Sequence, residues 1–164
     1  MKWTKKLQRL KYTPTFTLDG VPVDLMANVE MPEDAVLALD SGAVGIGLFR
    51  SEFLFMNRRD APSEEEQFDA YRSVAEALDG KPVTIRTLDL GADKEMNSDT
   101  ERTCTNPALG LRAIRLCLAE PQLFHTQLRA ILRASAFGNI QILIPMLSSI
   151  NELKQTLLLL ERAK

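Results

Sequence analysis

A chain of 164 residues, 45% hydrophobic and 26% charged, has the balance of an ordinary soluble globular domain, which excludes disordered, collagenous and disulfide-scaffold classes. Its 20 basic and 22 acidic residues give a formal charge of -2, so it offers no general attraction to nucleic acid or to a lipid surface. Any anion binding must be local.

The first eleven residues carry Lys2, Lys5, Lys6, Arg9 and Lys11 with no apolar stretch of signal-peptide length behind them, so export is not expected. Trp3, Leu7 and Leu10 recur at helical spacing and predict a short amphipathic helix with a solvated basic face. Residues 12–22, punctuated by Pro14, Asp19, Gly20 and Pro22, read as a linker. No apolar run approaches bilayer-spanning length. The two cysteines, Cys104 and Cys117, lack zinc or redox spacing and are expected to be reduced thiols of a cytoplasmic protein.

From residue 23 a repeat begins. Residues 23–29 predict a strand, and Pro32 opens a helix through Leu39 that Gly42 caps. Residues 43–49 predict a second strand, and Ser63 with Glu66 forms a capping box for a helix whose inner face is Phe68, Tyr71, Ala75 and Leu78, ending at Gly80. Residues 83–88 give a third strand. Helices follow over 106–117, with Asn106 and Pro107 at its start, and over 121–137, with Phe124, Leu128, Ile131 and Leu132 on one side before Gly138. Residues 140–144 are a fourth strand, and a helix from about Ser149 is expected to turn Ile150, Leu153, Leu157 and Leu160 inward.

Four strand-then-helix units predict an α/β fold with a parallel sheet covered by helices. Neither a dinucleotide fingerprint nor a nucleotide-hydrolase phosphate loop is present. A complete eight-unit barrel needs about 250 residues, so four units correspond to a partial (β/α)₈ barrel.

Charges interrupt the strands at two positions. Arg50 follows the apolar run 45–49, and Arg86 lies inside 83–88, both toward the strand C-termini that form the functional face of β/α barrels. A guanidinium beside a core needs a partner. Either these arginines pair locally, Arg50 with Glu52 and Arg86 with Asp89, or they converge as a fork for a phosphate or carboxylate. The loop 89–95, with Asp89, Asp93, Lys94 and Glu95, is either a solvated loop or a further contributor at that face. Arg112 and Arg115 are placed on neighbouring faces of a helix start, and the single histidine, His125, has no company that points to catalysis.

The blocks Gly45-Ile46-Gly47-Leu48-Phe49-Arg50-Ser51-Glu52-Phe53-Leu54-Phe55-Met56, Ile85-Arg86-Thr87-Leu88-Asp89-Leu90-Gly91-Ala92-Asp93-Lys94, Asn106-Pro107-Ala108-Leu109-Gly110-Leu111-Arg112 and Gln127-Leu128-Arg129-Ala130-Ile131-Leu132-Arg133-Ala134-Ser135 stand in this order. Together they resemble the enzyme I family of phosphoenolpyruvate-protein phosphotransferases of the bacterial sugar phosphotransferase system. The resemblance runs from about residue 23 to the end. It implies a phosphoenolpyruvate-binding barrel that dimerises, uses magnesium (Mg2+), and passes phosphate to a histidine on a separate domain and thence to the carrier HPr. It also implies that Arg50 and Arg86 hold the phosphoenolpyruvate phosphate, with Lys94 and Arg112 as further candidates at the same mouth.

The family's phosphohistidine domain, metal-binding carboxylates and proton-donating cysteine have no counterpart in these blocks, and Cys104 and Cys117 stand in the wrong ones. The expectation is therefore an N-terminal helix and linker over 1–22 and the first, truncated half of the barrel over 23–164, inactive alone, with no metal ligands and no catalytic residue of its own. Residues 91–94 resemble the nitrogen-related enzyme I paralogue slightly more, and residues 50–56 the sugar branch. A rival reading is a non-catalytic half-barrel that self-associates through open sheet edges.

Overall fold

The apolar runs become strands, each shorter than its run. In the computed structural model, which describes residues 9–90 and 109–164, β1 (Ala27–Val29), β2 (Ile46–Arg50), β3 (Val83–Arg86) and β4 (Ile140–Leu143) form one sheet. All neighbours are parallel, in the order β1-β2-β3-β4. Sequential order without a switch point is the winding of a β/α barrel wall rather than of a doubly wound sheet. No helix among the described residues is long and apolar enough to cross a membrane.

The helices are α1 (Asp34–Asp40), α2 (Glu64–Ala77), α3 (Ala113–Ala119), α4 (Pro121–Ala134) and α5 (Ile150–Ala163), with 3-10 turns at Ser51–Phe55 and Ser135–Phe137. The capping box of α2 is present, Ser63 Oγ accepting from the Glu66 N–H while Glu66 Oε2 accepts from the Ser63 N–H. A second box, Ser149 with Glu152, starts α5. Gly42 adopts φ +92, the left-handed turn that glycine tolerates after a helix.

Right-handed crossovers put the helices on one face of the sheet. There Phe49, Val83 and Ile85 from the strands meet Tyr71 and Val74 from α2, Leu78 just after it and Ile131 from α4, all fully buried. A second cluster, built on Leu88, Ile114, Phe124 and Leu128, lies under the C-terminal ends of the strands. Each such side chain contributes about 1.5–3 kcal/mol by leaving water. Outside, Glu64 ties Arg129 and Arg133 of α4 to α2, and its hydrogen bond from Arg129 holds its carboxyl below the usual range.

Three expectations are corrected. Residues 23–26 are not strand: Val23, Leu25 and Met26 are exposed. The reason lies upstream, where residues 15–23 fold back on themselves, Phe16 bridging Pro22 antiparallel and the Val23 N–H donating to the Thr15 carbonyl, so the linker region is itself a turn. The opening helix falls mostly outside the described residues, and residues 9–11 lie in turns. The helix expected over 106–117 begins at Ala113, because Arg112 is extended and Ala113 has φ +49, a left-handed conformation costing about 1–2 kcal/mol. Asn106 and Pro107 lie outside the described residues.

The third concerns α5. Its inward face is Thr156, Leu159, Leu160 and Ala163, whereas Ile150, Leu153 and Leu157 are exposed. Seven apolar positions in that helix define more than one stripe, and contact with α4 selects the one that the spacing of leucines does not favour.

Candidate functional site

A β-bulge decides which side chains meet at the strand ends. The β2–β3 register runs Ile46 to Val83, Phe49 to Ile85 and Arg50 to Arg86, so β2 spends three steps where β3 spends two. Without the extra residue, Phe49 would stand beside Arg86. With it, Phe49 joins Ile85 on the helix side, where its ring meets Tyr71 edge-on at 6.2 Å, and Arg50 and Arg86 become neighbours about 4.8 Å apart across the ladder on the opposite face. That face also carries Thr84, which donates to Gln141 at 3.2 Å.

The two arginines are engaged differently. Arg50 pairs with Glu30 just beyond β1, both side chains about half exposed, so this contact contributes little and is easily exchanged. Arg86 donates from Nε and a terminal nitrogen to Glu52 Oε1 at 2.9 and 2.8 Å, and a second terminal nitrogen lies 3.5 Å from Asp89 Oδ2. Arg112 holds the other oxygen of Asp89, at 3.0 and 3.3 Å. A continuous chain Glu52, Arg86, Asp89, Arg112 therefore runs across the strand ends, with side chains only 11–26% exposed.

Local pairing thus exists: Arg86 meets Asp89 as expected and takes Glu52 as well, while Arg50 pairs with Glu30 instead of Glu52. Arg112, expected on a helix face, instead precedes α3 and reaches back to Asp89, which accounts for its extended backbone. Two buried atoms here, Arg50 Nε and Glu52 Oε2, have no hydrogen-bond partner among the described residues. An unfilled donor beside an exchangeable ion pair is what an anion would use.

Beneath the arginines lies a buried polar network that periodicity did not reveal. Gln127 of α4 donates to Ser51 Oγ at 3.0 Å and to the Tyr71 hydroxyl at 3.1 Å, and accepts from the Leu88 N–H at 2.9 Å. Ser51 donates to the Arg86 carbonyl at 2.7 Å, and Tyr71 to Gln67, which donates to the Pro62 carbonyl. Burial pushes the Tyr71 phenol above its ordinary value, so it remains a donor. The available signal was a polar residue on an apolar stripe, since Gln127 lies between Phe124 and Ile131 at helical spacing.

Lys94, Asp93 and Cys104 lie outside the described residues. Cys117 is buried and its thiol is pushed up to about 12, chiefly by desolvation, so it is inert at neutral pH. His125 is partly buried with Nε2 3.4 Å from the Arg162 carbonyl, away from the arginines. As for magnesium, no group of three His, Cys, Asp or Glu side chains that could hold a metal occurs among the described residues, and Glu52 and Asp89 both face guanidiniums. These residues do not fit a metal site.

With this geometry established, comparison with known proteins is informative. Residues 4–164 match the family described as PEP-utilising enzyme, PEP-binding domain. The chain is 61% identical over 163 residues to a phosphoenolpyruvate-protein phosphotransferase of Cupriavidus necator, covering 98% of this chain and 28% of that protein. Proteins of the same name from Staphylococcus epidermidis and a Bacillus species are 51% and 49% identical, over 92% and 94% of this chain and 26% of each relative. The chain thus spans about a quarter of the length of the curated relatives it matches.

Proposed function

Since the chain belongs to the PEP-binding domain family of the PEP-utilising enzymes, we propose that it supplies the phosphoryl-gripping part of a PEP-protein phosphotransferase, with Arg50 and Arg86 as ligands of the phosphoenolpyruvate phosphate. The observation that carries this reading is the bulged register that makes Arg50 and Arg86 cross-strand partners at the strand C-termini. Phosphoryl transfer needs little covalent help from the protein and much positioning and charge neutralisation, which paired guanidiniums supply. Arg50 releases Glu30 and turns Nε to a phosphate oxygen, Arg86 is held ready by Glu52 and Asp89, and Arg112 adds positive charge at the rim, with Lys94 as a further candidate.

In this reading residues 1–22 connect to the domain and residues 23–164 are the first half of its barrel. Magnesium is held by residues beyond these, and the phosphate passes through an enzyme histidine to HPr in the cytoplasm. The chain alone grips phosphate without turning it over. Calorimetric titration of phosphoenolpyruvate into wild type, Arg50→Ala and Arg86→Ala tests the reading. Each lost charged contact is expected to weaken binding about tenfold or more. Equal binding by all three proteins defeats it.

Self-association is the second element of the proposal, favoured by Ile150, Leu153 and Leu157 standing exposed on α5, and by β1 and β4 lying at the two edges of the sheet. Light scattering over a concentration series should show mass rising above the 18.4 kDa monomer. A constant monomer mass at high concentration would count against it.

A further inference from the structure

A glutamine amide buried in an apolar layer is unfavourable unless every one of its bonds is made, and Gln127, 1% exposed, makes three. Its partners are not scattered. The β2–β3 ladder ends at Arg50 and Arg86, and beyond that point the Thr87 N–H still reaches Leu143 of β4. The Leu88 N–H has Gln127 Oε1 as its partner. The same amide, through its Nε2, holds the hydroxyl of Ser51, the residue after Arg50, and Ser51 in turn holds the carbonyl of Arg86 itself. One side chain therefore clamps both strands just past the arginines and one residue before Asp89, the carboxylate shared by Arg86 and Arg112.

We infer that Gln127 is a positioning residue of the anion site: acting through Ser51 and the Leu88 amide, it fixes the spacing of the Arg50 and Arg86 guanidiniums and the placement of Asp89. The inference rests on the reading of these arginines as phosphate ligands. Nothing in Gln127 touches the ligand face. It lies on the helix side of the sheet, so its effect on binding is indirect.

A merely structural role would lower stability without altering binding, and Tyr71→Phe provides the comparison. It removes the outer hydroxyl of the network while leaving Gln127 bonded to Ser51 and Leu88. Gln127→Met keeps the volume but removes all three bonds, and Ser51→Ala removes the link to the Arg86 carbonyl together with the bond from Gln127 Nε2 while sparing those of Gln127 to Leu88 and Tyr71, which provides a second variant should Gln127→Met fold poorly. Each protein is melted, titrated with phosphoenolpyruvate and with inorganic phosphate well below its melting temperature, and its arginine Nε–Hε resonances are recorded without ligand.

All three variants should melt earlier. Gln127→Met and Ser51→Ala should in addition bind about tenfold more weakly and shift the free-state Arg86 resonance, with Tyr71→Phe near wild type in both respects. If Gln127→Met and Ser51→Ala bind as tightly as wild type with Arg86 unmoved, or if Tyr71→Phe weakens binding equally, the positioning role is overturned. Should wild type bind neither ligand while the Arg86 resonance still moves in Gln127→Met, the phosphate reading fails and the positioning of Arg86 stands.

Discussion

Arg86→Ala is expected to cost about 2–3 kcal/mol of folding stability in addition to anion binding, whereas Arg50→Ala costs binding alone. The difference follows from burial. Glu52 and Asp89 are 11% and 14% exposed, and Glu52 Oε2 already lacks a partner, so deleting Arg86 leaves Glu52 as an uncompensated, largely desolvated carboxylate. Asp89 retains Arg112 and suffers less. Arg50 faces Glu30 with both groups about half exposed, where water replaces the lost partner at small cost. Urea unfolding of the two variants beside wild type reads the contrast. Equal midpoints for Arg50→Ala and Arg86→Ala would show that the Glu52–Arg86 pair carries no structural weight.

The larger stability loss is expected from Phe49→Ala, at about 3–5 kcal/mol. Phe49 is fully buried, packs edge-on against Phe53 at 5.7 Å and Tyr71 at 6.2 Å, and is the residue that the β2 bulge rotates to the helix side. Removing the ring empties the layer between β2 and α2 and weakens the preference that turns Arg50 outward. Since a domain of this size is stable by about 5–15 kcal/mol, the variant should lose from about a fifth to all of its stability. A midpoint close to wild type would mean that the bulged register does not depend on Phe49.

Much of this architecture was legible in the chain because each local signal agreed with the tertiary one. Ser63 and Glu66 start α2 as their spacing demands, Tyr71, Ala75 and Leu78 are buried, and the four apolar runs become four parallel strands in order. Where two signals competed, the sequence was ambiguous. The leucines of α5 fit two stripes, and contact with α4 chose Thr156 and Ala163 over Ile150 and Leu157. The stretch before α3 reads as helical from Asn106 and Pro107, but Arg112, in an ion pair with Asp89, is extended.

The arginine positions, and Asp89 as a partner of Arg86, were visible because a cation interrupting an apolar run demands an explanation, while Glu30 and Glu52 as the partners of Arg50 and Arg86 were not. That Glu30 serves Arg50 depends on β1 lying beside β2, and that Glu52 serves Arg86 depends on the bulge. The polar network is illegible in the chain for a different reason. Gln67 and Gln127 sit on helix faces whose other members are apolar, and their meeting through Tyr71 requires α2 and α4 to be packed together.

Whether Arg50 and Arg86 grip one phosphate together is decided by following arginine side-chain Nε–Hε resonances while phosphoenolpyruvate is added to the 164-residue chain. The Arg50 and Arg86 signals are expected to shift along one saturation curve with a common midpoint, while Arg129 and Arg133, occupied by Glu64 on the far side of the helix layer, stay where they are. Shifts confined to Arg129 and Arg133, or separate midpoints for Arg50 and Arg86, would contradict it.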